Sequence, residues 1–85
     1  MKIKAVRTYQ TVYVTPKKKE DKHFYVDSPH YQNLRMQEER HGVLFTSYDN
    51  EGNIEMVTLV PFTNIASINY VLEKKSEKKD SKKKG

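Results

Sequence analysis

The chain has no cysteine and no tryptophan, and only three glycines and three prolines among its 85 residues. Without thiols, neither a disulfide nor a thiolate metal site can form. Three scattered glycines make no phosphate-cradling loop, and no serine sits in a glycine-flanked nucleophile elbow. Long apolar runs are missing too. The longest, Leu59-Val60-Pro61-Phe62, falls far short of the roughly 20 residues a membrane-spanning helix needs. The stretch from Met1 to Arg7 alternates lysine with apolar residues and has no signal-peptide core. The expectation is a soluble cytoplasmic protein, with no membrane attachment and no cofactor.

What is present is charge and alternation. Hydrophobic residues make up 35% of the chain and its mean hydropathy is -0.92, so any core is small for the surface around it. The net charge of +5 is unevenly placed. Residues 73–85 hold seven lysines and three acids, a net +4, which leaves about one positive charge on residues 1–72. The tail contains no apolar residue and repeats lysine with serine and acid, so it is expected to be disordered. One small domain over residues 1–72 with a basic tail over 73–85 is therefore the expected organisation, and self-association would help so small a core.

Period-two alternation dominates residues 1–72. Ile3 and Ala5 share one parity, and Val6, Val12 and Val14 the other, which predicts a bulge or bend near Val6 to Tyr9. Pro16 closes that strand, and Lys17 to Lys22 reads as a charged loop. His23 to Asp27 is a short strand. Residues 28–42 allow two readings, a helix opened by Ser28-Pro29 and stopped by Gly42, or a strand over Asn33 to Glu38; the Leu34/Met36 spacing favours the strand. Val43 to Tyr48 and Ile54 to Val60, joined by Asp49-Asn50-Glu51-Gly52-Asn53, make a hairpin. The second of these strands is apolar on both parities near its end and is expected to be central. Pro61 to Asn64 breaks the ladder for one turn before Ile65 to Leu72 resumes it. The expected core is Val6, Val12, Val14, Phe24, Val26, Leu34, Val43, Phe45, Ile54, Met56, Leu59, Ile65 and Ile68.

The stretch Gly42 to Val71 carries a resemblance, above all Leu59-Val60-Pro61-Phe62-Thr63-Asn64-Ile65-Ala66-Ser67-Ile68-Asn69-Tyr70-Val71. It resembles the closing strand–turn–strand of SH3-like and Sm-like barrels, and also the last strands of bacterial pleckstrin-homology-like domains. The resemblance implies a mainly β fold, a small antiparallel SH3-like or Sm-like barrel. The chain departs from Sm-like RNA chaperones in its long Asp49–Asn53 loop and in lacking an N-terminal helix. In size and style it is similar to small phage-encoded accessory proteins.

Few residues offer chemistry. His23, His30, His41 and Asp27 are the candidates for metal or acid–base work, but their spacing does not converge and they read as surface residues. Glu38 and Glu39 are adjacent, so on a strand they point to opposite faces. No enzyme activity is expected, and neither catalytic nor metal-ligating residues are assigned. The aromatic set says more. With Val12 and Val14 facing inward, Arg7, Tyr9, Thr11 and Tyr13 face outward, and Tyr25 can extend that surface. Beside Lys17, Lys18 and Lys19 these rings make a stacking platform for single-stranded nucleic acid. Arg7, Tyr9, Tyr13, Lys17, Lys18, Lys19 and Tyr25 are thus the candidate nucleic-acid-binding residues, with the basic tail assisting. The rival expectation is an adaptor or regulator that docks a host or virion protein through the same tyrosines, a residue type enriched at protein interfaces.

Overall fold

The computed structural model describes residues 2–72; the expectation of a disordered tail over 73–85 lies outside the described residues. Six strands run in order: β1 (Ile3–Val12), β2 (Asp21–Tyr25), β3 (Leu34–Glu38), β4 (Gly42–Tyr48), β5 (Ile54–Pro61) and β6 (Ile65–Tyr70). Two single 3-10 turns, Pro29–Tyr31 and Phe62–Asn64, punctuate them. All pairings are antiparallel, and they make two three-stranded sheets, β2-β1-β6 and β3-β4-β5. Among the described residues no strand pairing joins the two sheets into a closed barrel.

The parity change in β1 has its expected cause. Against β6 the register slips between Ile3 and Ala5 and again between Arg7 and Thr8, and against β2 it slips after Arg7. These irregularities let Ile3 and Val6, on opposite parities, both reach the core. Residues 28–42 divide between the two readings: Ser28 caps a single 3-10 turn by accepting from the His30 N–H at 3.1 Å, and Leu34–Glu38 is the strand. The hairpin between β4 and β5 closes on Gly52, whose φ of 86° is the left-handed conformation that glycine tolerates. Gly42 is required for a different reason. An added Cβ would sit 2.1 Å from the Val60 carbonyl oxygen, so only glycine lets β4 and β5 approach there.

One core lies between the sheets. Val6, Val14 and Phe24 meet Val43, Phe45 and Val60, with Ile3, Tyr31, Leu34 and Met36 completing the cluster. The Phe24 and Phe45 rings pack edge-on at 5.1 Å, and Phe24 meets Tyr31 at 5.3 Å. Val12, Ile65 and Ile68 pack against this cluster from partly buried positions. Four expected core residues are outside it: Val26, Ile54 and Leu59 are exposed, and Met56 is half-buried. The expectation that β5 is central is also overturned, because β4 takes the centre and β5 is an edge. Both parities of β5 are apolar, but only Met56, Thr58 and Val60 turn toward the first sheet; among the described residues nothing covers the other parity.

The 3-10 turn Phe62–Asn64 carries the chain from one sheet to the other. Asn64 pins it by using both ends of its amide on one residue: Oδ1 accepts from the Gln10 N–H at 2.8 Å, and Nδ2 donates to the Gln10 carbonyl at 3.3 Å. The side chain thus substitutes for a ladder neighbour at that point of β1.

Candidate functional site

Cross-strand partners share a face of a sheet, so the register places the candidate residues. On the first sheet Arg7 lies between His23 of β2 and Ser67 of β6, and the next row is Tyr25, Ala5 and Asn69. Arg7 and Tyr9 are exposed while Val6 and Thr8 are buried, so this is the outer face and Tyr9 continues it. Tyr9 is 64% exposed, and the His23 and Tyr25 rings lie 4.8 Å apart at a tilt of 46°. Arg7, His23 and Tyr25 are therefore brought together, and Tyr9 is exposed further along β1, past the irregularity after Arg7. The signal for His23 was available, since it stands two residues before Tyr25 and so shares its face of a strand.

The other candidates are placed elsewhere. The Tyr13 carbonyl accepts from the Thr58 hydroxyl at 3.3 Å, which sets that residue beside β5 of the second sheet. Lys17 Nζ is 2.8 Å from Glu55 Oε2 and donates to the Tyr48 carbonyl at 2.9 Å. Glu55 also lies 3.1 Å from the buried Ser47 hydroxyl, itself 3.0 Å from Thr15 Oγ1. Lys17 thus belongs to a polar network that ties the loop to the end of the second sheet. Lys18 Nζ lies 3.2 Å from Asp21 Oδ2 and 6.0 Å from the Tyr31 ring centroid. Lys19 is exposed in the same loop. Spacing along the chain put these lysines near the tyrosines, but carboxylates from distant or neighbouring positions hold two of them.

Titration shifts gather at the Asp21–Tyr31 pair. Burial pushes the Asp21 carboxyl up, but the Lys22 N–H, the Tyr31 hydroxyl and Lys18 outweigh it and hold the pKa below the ordinary value. Burial raises the Tyr31 phenol well above its usual range, and the Asp21 carboxylate at 2.9 Å adds to the rise. This pair clamps the start of β2 to the core. Asp49 is lowered chiefly by the Asn53 N–H and is a turn-forming group. Tyr70 is raised by its hydrogen bond to Glu38, which links β6 of one sheet to β3 of the other. Among the described residues no group of three or more histidines or acids is placed to hold a metal ion, and no helix is long and apolar enough to cross a membrane.

The outer face of the second sheet is different in kind. Its rows pair Tyr48 with Ile54, Arg35 with Thr46 and Val57, and Gln37 with Leu44 and Leu59. Along β5 the side chains are aliphatic and open: Ile54 is 60% exposed, Val57 55% and Leu59 52%, with Phe62 beyond them. The periodicity of β5 showed that its second parity is apolar, but not that this parity would be left open. A groove of about 750 Å³ opens where the two sheets part, with Ile3, Val26, Leu34 and Met36 within and Arg35, Glu38 and Glu39 at its rim. Three of those four apolar residues are already buried, so a ligand there gains little apolar contact.

Compared with protein-family models, curated proteins and solved structures, the chain shows no significant match to any.

Proposed function

We propose that this chain is a small non-enzymatic binding module whose ligand is a protein, docked on the outer face of the first sheet by Arg7, Tyr9, His23 and Tyr25. The observation that carries this reading is the company Arg7 keeps. Among the described residues, the rows that flank Arg7 hold His23, Tyr25, Ser67 and Asn69 and no second lysine or arginine, while Lys17 and Lys18 are held by Glu55 and Asp21. Nucleic-acid affinity draws mainly on several phosphate contacts, whereas tyrosine and arginine together are the usual anchors of protein interfaces. The matching ligand presents a carboxylate to Arg7 and an apolar side chain to the tyrosine rings. As to fold type, an SH3-like small barrel is the finer reading. It is supported by the meander of β3 to β5, the single 3-10 turn before the last strand, and the pairing of that strand with β1.

Selection of random peptides on the immobilised full chain tests the function. Enriched acidic–apolar peptides should lose binding to Arg7→Glu and to Tyr25→Ala variants. The competing nucleic-acid reading is favoured by one feature, that Tyr9 and Tyr25 share a face with a guanidinium. A salt series with labelled single-stranded DNA and RNA decides between the two. Binding that weakens with a log–log slope of about −0.7 per phosphate, and that disappears in an Arg7→Ala/Tyr9→Ala variant, would transfer recognition to nucleic acid.

A further inference from the structure

An edge strand leaves a row of N–H and C=O groups ready to pair, and proteins usually blunt such edges with lysine, proline or inward charge. Three of the four edges here are blunted or short of apolar surface. β2 carries Asp21 and Lys22, β3 carries Arg35 and Glu38, and the exposed residues of β6 are Ala66 and Asn69. β5 is the exception. It is eight residues long and exposes Ile54, Val57 and Leu59. Its one charge, Glu55, is held by Lys17 at 2.8 Å, and its one proline is the last residue.

Which backbone groups of β5 face outward follows from its inner side. The Phe62 N–H donates to the His41 carbonyl, and the Val60 carbonyl lies against Gly42. Val60 and Thr58 therefore aim their backbone groups at β4, and alternation leaves Val57, Leu59 and Pro61 aiming at the open edge. Pro61 has no N–H to offer there, which is where a strand tolerates proline. Among the described residues no loop supplies a backbone hydrogen bond to Val57 or Leu59.

We propose that β5 is a self-association strand: two copies of this chain pair antiparallel through their β5 edges, joining the two second sheets into one six-stranded sheet. The occupant is a second copy because the strand is complementary to itself. Opposed residues of an antiparallel pair must share a face, so a two-fold axis perpendicular to the sheet has to pass midway between one residue and its own copy. With the axis at Thr58, Val57 lies opposite the partner's Leu59 and Leu59 opposite the partner's Val57. Both pairs can exchange N–H and C=O bonds, four in all. Glu55 is the extra residue of the irregularity opposite Ser47 and Tyr48, and its carboxylate is turned to Lys17 and Ser47, so no like charges meet across the pair. Moving the axis to Val57 would leave Leu59 opposite that irregularity, a poorer match. This proposal does not depend on the aromatic face, which lies on the other sheet and stays free in the dimer.

Sedimentation of the full chain from about 1 μM to about 1 mM, the range in which modest interfaces dissociate, should show a reversible monomer–dimer equilibrium. Val57→Lys and Leu59→Lys, each at an exposed site, should weaken it about tenfold, because the two-fold axis replaces both Val57–Leu59 cross-strand pairs at once, while Ala66→Lys on the β6 edge leaves it unchanged. Register is read by single-cysteine variants, which have no background in a chain without cysteine. Opposed Cα atoms in such a pair are about 5.5 Å apart, within disulfide reach. Oxidising a mixture of Val57→Cys and Leu59→Cys chains should therefore give the mixed dimer, with little of either homodimer, whose positions are about 8 Å apart by strand spacing. A chain that stays monomeric throughout, a dimer indifferent to both lysine variants, or cross-linking no faster in the mixture than alone would overturn the proposal.

Discussion

The two sheets share a core but differ in what they leave outside. The first turns out Arg7, His23, Tyr25, Ser67 and Asn69, so its outer face alternates with its inner one in polarity. The second turns out Leu44, Ile54, Val57 and Leu59, so along β5 both faces are apolar. Polar outer residues need nothing beyond water. An aliphatic outer face costs about 25 cal/mol for each Å² left uncovered, and it sits beside an unpaired edge. The comparison teaches that the face with aromatic chemistry and the face with apolar surface free to be covered are separate. A module built this way can bind with one sheet while associating with the other.

The largest expected effect tests whether the sheets stand on one core. Phe45→Ala should cost about 3–5 kcal/mol and unfold both sheets in one urea transition, because its ring contacts Phe24 of the first sheet. Amide protection surviving in β1 and β6 alone would break that picture. Gly42→Ala comes next, at about 2 kcal/mol in the same titration, since the new methyl meets a backbone carbonyl that cannot step aside. It acts on the second sheet only, so exchange protection should fall first in β4 and β5.

Tyr31→Phe should cost about 1.5 kcal/mol by removing a buried hydroxyl from a carboxylate. The same pair contributes to the pH response on both sides, where Asp49 adds to the acid limb and Tyr70 to the alkaline one. Asp21 is held below its ordinary value, so its contribution is full above the unfolded carboxyl pKa near ~4 and is lost as pH falls through the lower folded value. Tyr31 is raised, so its contribution is full below the unfolded phenol pKa near ~10 and is lost as pH climbs toward the folded value. Asp21→Asn should flatten the acid limb of the thermal-melting profile, and an unchanged acid limb would remove Asp21 from the account. The smallest effect sharpens the contrast between faces. Leu59→Thr should change monomer stability by no more than about 0.5 kcal/mol, because the side chain is half exposed; a large loss would mean that the outer face of the second sheet is already covered within the monomer.

Much of the fold was legible because short-range patterns dictate it. Alternation and turn residues located the hairpin of β4 and β5, the break at Phe62–Asn64 and the irregularity in β1. The strand over Leu34–Glu38 followed from two apolar residues two apart. Exposure in β5 was not legible, since an apolar parity reads the same whether another layer lies on it or not. Val26 misled for a related reason, because the inward parity of Phe24 does not continue past the end of β2 at Tyr25. In the candidate site, the outward parity of Arg7 and Tyr9 was readable along β1, and Tyr25 stands in the row next to Arg7. Parity could not foresee that Glu55, 38 residues from Lys17 along the chain, would take that lysine's charge.

By itself, then, the sequence determined what is written in neighbouring residues: mainly β structure, where strands start and stop, which parity of β1 turns outward, and the absence of thiol chemistry. Tertiary structure alone decided which strands are edges, which apolar faces are covered and which charges are paired. The physical reason is range. Strand propensity and alternation act over two to eight residues, whereas an edge, a covered face or an ion pair exists only once segments tens of residues apart have been brought together, and β5 is apolar on both sides under either outcome.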